Sequence, residues 1–159
     1  MRRARRITAT TVTATALTLA LAAVPAVGAD HERLAGSFAF TDSRTCTAPI
    51  GVVGAFDEQE HIYYDSAGVA VRLAFTGRVT ITYTNLENGR VYQPNSAGPS
   101  TVDLATGQTI LRGGNGALFD NDATLIATTG RVVLDADNNI ISLTGRRNEV
   151  CAKLGATQR

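Results

Sequence analysis

Residues 69–84 read VAVRLAFTGRVTITYT, and the alternation in this stretch decides the fold class. Val69, Val71, Leu73, Phe75, Val79, Ile81 and Tyr83 hold odd positions, while Arg72, Thr76, Arg78, Thr80, Thr82 and Thr84 hold even ones. A period of two over this length marks a β-strand with one face buried and one in water. A straight strand this long would reach about 53 Å, too far for a small domain. The apolar face stays in phase across Gly77, which favours a bend there over a turn between two strands. A second ribbon, residues 123–134 (ATLIATTGRVVL), is interrupted by Gly130 in the same way.

The rest of the chain supplies partners for these ribbons. Phe38 and Phe40 share one face of a short strand over residues 36–41. Asp57, Glu58 and Glu60 read as a turn ahead of a strand at residues 61–64, and Asn88-Gly89 is a strong hairpin signal. Gly113, Gly114 and Gly116 read as a loop. Asp120-Asn121-Asp122 and residues 135–139 (DADNN) read as turns, and residues beyond Gly155 as a fraying tail. Apart from one turn around Cys151, no stretch carries a helical period. Short connections make successive strands antiparallel neighbours. The prediction is an all-β antiparallel meander of about eight strands, a closed or nearly closed barrel, with a two-sheet β-sandwich as the alternative.

Residues 1–29 read as a secretory signal peptide. Arg2, Arg3, Arg5 and Arg6 precede an uncharged run of Ala, Leu, Val and Thr, and small residues at 27–29 suit cleavage after Ala29. Residues 30–159 then form a single all-β domain, secreted and extracellular, with no integral membrane segment after cleavage. Losing those four arginines takes the Lys and Arg count from 15 to 11 against 14 acidic side chains, so the formal +1 becomes −3. A weakly acidic surface argues against nucleic acid as a partner. Cys46 and Cys151 are the only cysteines, and outside the cytosol such a pair predicts one disulfide.

A Phe-rich first strand, an early Cys, the ribbon GRVTITYTNLENGR, a later TTGRVVLDADNNI and a closing Cys together resemble small secreted actinobacterial all-β proteins of unknown function. That resemblance implies compartment and fold and transfers no catalytic residue. By architecture alone the chain is similar to lipocalin-like and allene-oxide-cyclase-like barrels.

No catalytic residue, metal ligand or cofactor site is assigned from the sequence. His61 next to Glu60 could form a base or a metal site, but adjacent strand residues point to opposite faces. Asp120 with Asp122, and Asp135 with Asp137 and Asn139, look like oxygen ligands for calcium. The second set lacks the glycine and closing glutamate of an EF-hand loop, and Asp and Asn are ordinary turn residues. Glycines 113, 114 and 116 lack the helix and the Lys-Ser/Thr pair of a phosphate loop. Phe75, Tyr83 and Val133 are the expected lining of a pocket. The leading expectation is non-enzymatic binding of a small apolar molecule or an extracellular protein. The alternatives are a structural extracellular or cell-envelope module without a ligand and, ranked third, a barrel-pocket enzyme such as an isomerase or hydrolase.

Overall fold

The computed structural model describes residues 29–159. Residues 1–28 of the predicted signal segment lie outside the described residues, and its last residue, Ala29, is the first of β1. Eight strands and one short helix follow in order: β1 (Ala29–Asp42), β2 (Ile50–Tyr64), β3 (Ala70–Asn85), β4 (Val91–Tyr92), β5 (Ser100–Asp103), β6 (Thr109–Phe119), β7 (Leu125–Leu134), β8 (Ile140–Glu149) and α1 (Val150–Lys153). Every pairing is antiparallel.

The all-β meander is present, but the barrel is not. One hydrogen-bonded sheet runs β1-β2-β3-β5-β6-β7-β8, with β4 on β3, so β1 and β8 end it as edges and do not pair with each other. It is also one sheet, not the two of a sandwich. The seam is spanned by other means. β8 runs directly into α1, and the tail beyond α1 pairs with the segment between β1 and β2. Cys46 bridges Gln158, the Thr47 amide donates to the Thr157 carbonyl at 2.9 Å, and the Arg159 amide donates to the Thr45 carbonyl at 3.1 Å. The Gln158 side-chain amide donates to the Ala123 carbonyl at 3.1 Å. The expected fraying tail is therefore a paired segment. The Cys46–Cys151 disulfide is formed and sits beside this pairing, with a Cα–Cα distance of 5.6 Å.

β3 runs through Gly77 as one strand, with no turn there. Gly77 has φ +154° and Gly130 φ +132°, and a Cβ at either would run into a backbone carbonyl of the neighbouring strand, Asp57 and Thr144 respectively. Gly130 lies in register with Gly113 of β6 and Gly145 of β8. Three adjacent strands thus carry positive-φ glycines in one row.

Two turns expected from composition are strand. Residues 57–60 continue β2 without a break, since β1 and β3 flank them on both sides in unbroken register. Arg33 holds Asp57 through two hydrogen bonds of 2.8 Å, which gives one of these carboxylates a cross-strand partner. Gly113, Gly114 and Gly116 lie inside β6. There the 95–98 segment crosses so closely that a Cβ on Gly114 or Gly116 would strike Asn95 or Ser96. The glycines mark a close approach of backbones, not a loop. The lead-in at residues 30–35 is also strand, paired with β2.

The core joins the two halves of the sheet. Ile50 and Val52 of β2, Ile81 and Tyr83 of β3, Leu125 and Ala127 of β7, and Val150, Cys151 and Leu154 at α1 form one cluster. Seven of the ten β7 residues are buried, on both faces, which makes it the most enclosed long strand. Buried Asn85 donates to the Leu154 carbonyl at 3.1 Å, tying the β3 turn to the end of α1. Among the described residues no helix is long and apolar enough to cross a membrane.

Candidate functional site

The site that emerges is an apolar cleft beside the free edge of β1. It has a volume of about 370 Å³. Phe38 and Phe40 form one wall, Ala117, Phe119 and Leu125 the other, and Val52, Ile81 and Tyr83 lie between them, with Asp42 at one end. It is open to water: Phe40 is 55% exposed and Phe119 54%.

Strand alternation puts Phe38 and Phe40 on the same face, with ring centroids 6.1 Å apart. The placement of Phe38 depends on a glycine in β2, and the reverse pair lies next to it. Gly36 pairs with Phe56 and Phe38 with Gly54, and in each pair the ring lies over the glycine where a Cβ would be. An aromatic ring covering a cross-strand glycine shields the bare backbone and fixes the ring. Gly54→Val should eject the Phe38 ring and destabilise the β1–β2 hairpin by about 1–3 kcal/mol. A chemical-denaturation midpoint measures this, and an unchanged midpoint would mean that the ring is not held there.

Tyr83 is the cleft's buried polar group, 2% exposed. Burial, assisted by the neighbouring Tyr92, pushes its phenol up to about 12, so it is neutral at physiological pH. It donates to the Gly116 carbonyl at 2.9 Å, linking β3 to β6. Tyr83→Phe leaves that buried carbonyl without its donor and should cost about 1–3 kcal/mol, read by urea unfolding. Asp42 is the cleft's ionised group. Burial acts to raise its pKa, but hydrogen bonds from the Thr45 side chain and the Arg44 and Thr45 amides outweigh this and hold it low. A neutral phenol already committed as a donor and a carboxylate committed to a turn make no acid–base pair. What this cleft can do is bury apolar surface.

The expected pocket residues separate. Tyr83 lines the cleft. Val133 is buried, and Phe75 is half-buried on β3; neither is on the cleft wall. The sequence placed Phe38 and Phe40 on one strand face but assigned them to no pocket, and it did not single out Phe119. The reciprocal spacing of Gly36, Phe38, Gly54 and Phe56 was the signal that could have singled out the β1 wall.

The other candidates have structural employment. His61 stands opposite His31, ring centroids 6.1 Å apart, while Glu60 is opposite Glu32 on the other face. Asp135 takes the amides of Asp137 and Asn139 on one oxygen and the Asn139 side chain on both. Asp120 accepts the Asp122 and Thr124 amides and pairs with Arg147 at 2.6 Å, its side chain 8% exposed. Among the described residues no three His, Cys, Asp or Glu side chains gather as a metal site.

Three carboxylates set an acid limit. Asp57 is held below the usual carboxylate range by the Arg33 hydrogen bond, Asp103 by the Thr106 amide and hydroxyl, and Asp135 by Asn139. A carboxyl whose pKa is lower in the folded state adds stability above its unfolded pKa and loses it as pH falls through the folded one. Urea midpoints should stay flat from neutral pH down to about 5 and decline below about 4. A midpoint that rises on acidification would contradict these assignments.

No family model, curated protein or solved structure matches the chain. Its function must be argued from its own residues. The likeness to lipocalin-like and allene-oxide-cyclase-like architectures falls with the closed barrel.

Proposed function

We propose that the protein is a non-catalytic extracellular structural module that works through its surface and encloses no ligand. The observation that carries this reading is where the apolar surface lies. The space between the sheet halves is taken up by Ile50, Val52, Ile81, Leu125, Val150 and Leu154. The exposed phenylalanines, Phe38, Phe40 and Phe119, face water beside an edge strand. A ligand carrier has the opposite arrangement, with apolar lining inside and most of the ligand surface covered. The disulfide and the paired tail, which together fasten both ends of the domain, suit a protein that must persist outside the cell. The signal-like N-terminus supports the same compartment.

Native mass spectrometry of the protein purified from its own culture medium tests this. The expected mass begins at residue 30, is two hydrogens light from the disulfide, and carries no small molecule. A stoichiometric adduct that leaves on denaturation would overturn the reading in favour of a small apolar ligand held in the cleft.

A further inference from the structure

We propose that the free edge of β1 is a self-association surface, whose occupant is β1 of a second copy of this chain. This deepens the structural-module reading by naming the module's partner.

Edge strands expose unpaired amides and carbonyls, and proteins that remain single guard them with charge, proline, bulges or strand shortness. The two edges of this sheet differ in this respect. β8 has a register irregularity against β7, the positive-φ Gly145, and Arg146 and Arg147. β1 pairs with β2 for 14 residues without a break. Over residues 34–41 (LAGSFAFT) it has no charge, no proline and no bulge, and it carries two exposed phenylalanines. The unguarded part of the sheet is also its most apolar edge.

Charge selects a second copy and a register. An antiparallel pair about a twofold axis through Phe38 sets Phe38 against Phe38 of the second copy, Gly36 against Phe40, and Leu34 against Asp42. Beyond the paired residues, Arg44 of the second copy, in the turn that follows β1, lies at the end where Glu32 emerges, and by symmetry this occurs twice. Arg44 lies two residues past the strand end and is exposed. Of the neighbouring registers that keep the same face inward, those on one side bring carboxylates together, and axes through Ala39 or Phe40 set Arg44 against Leu34 or Gly36 and leave Glu32 no charged partner. An axis through Ser37 brings Glu32 against Asp42, and one through Gly36 brings Asp30 against Asp42. The chosen register is the one in which apolar centre and charged flanks agree. Nine paired residues span about 30 Å, which places the interface at the small end of specific ones and its Kd on the order of micromolar.

Sedimentation velocity of the disulfide-bonded secreted chain from about 1 to 500 µM, spanning the expected Kd, provides the test. The expected result is a reversible monomer–dimer equilibrium. Glu32→Arg and Arg44→Glu should each weaken it about tenfold, since two attractive contacts become repulsive, and the double variant should restore it. Both positions are exposed, and Glu32 already faces Glu60 in its own copy, so the fold should tolerate the changes. Unchanged far-UV circular dichroism at the lowest concentration verifies that it does. A monomer throughout the range overturns the proposal, as does a dimer indifferent to the reversals or not rescued by the double variant. A retained small molecule would strike at the module reading and is seen as added mass, separately from the subunit count.

Discussion

Replacing both Cys46 and Cys151 with serine is expected to lower the unfolding free energy by about 4–5 kcal/mol. The bridge closes 105 residues, and cross-linking a loop of that length removes much of the conformational freedom of the unfolded chain. The bridge carries more here than it would in a closed barrel, because no strand pairing joins β1 to β8. The clasp is the disulfide, the 157–159 pairing with 45–47, and the packing of α1. Both sulfurs are buried in the core, where a serine hydroxyl would need a partner. Guanidinium unfolding of wild type and double variant reads the difference. A loss below about 1 kcal/mol would mean that the tail and α1 hold the seam alone.

Gly130→Val should be nearly as damaging, by about 3 kcal/mol or more. At φ +132° a β-branched residue is strained, and its Cβ would collide with the Thr144 carbonyl of β8. A shift of β7 there would also pull against Gly113 and Gly145, the positive-φ glycines in register with it. Gly68→Ala is the control. Gly68 also has positive φ, +79°, but nothing lies within 4 Å of its Cβ position, so its cost should stay near 1 kcal/mol. Equal effects at the two sites would remove the collision from the explanation and leave backbone strain alone.

Much of this fold was legible because strand periodicity is local. The phase of Val79, Ile81 and Tyr83 announced the buried face, and Gly77 and Gly130 marked the places where β3 and β7 take positive φ. Cys46 and Cys151 could be paired because no other cysteine competes. Closure was not legible. Whether β1 meets β8 depends on what the chain does after Glu149, and a four-residue helix followed by a polar tail carries no periodic signal. Composition misled at residues 57–60, where acidic residues look like a turn. Arg33, 24 positions away, supplies the charge that Asp57 needs within the sheet. It also misled at Gly114 and Gly116, where glycine means that another backbone passes overhead. The cleft was half legible: Tyr83 was named from its strand position, but Phe40 and Phe119 lie far apart in the chain and meet only across the folded sheet.

Amide hydrogen exchange along β8 tests the open sheet most directly. β8 is an edge in the single chain and stays one if β1 strands pair. Alternate amides from Thr144 to Glu149, those pointing away from β7, should therefore exchange nearly as fast as in an unstructured chain. Their neighbours and most of β7 should exchange orders of magnitude more slowly. Uniform slow exchange along the whole of β8 would mean that its outer side is hydrogen-bonded, and the sheet would be closed after all.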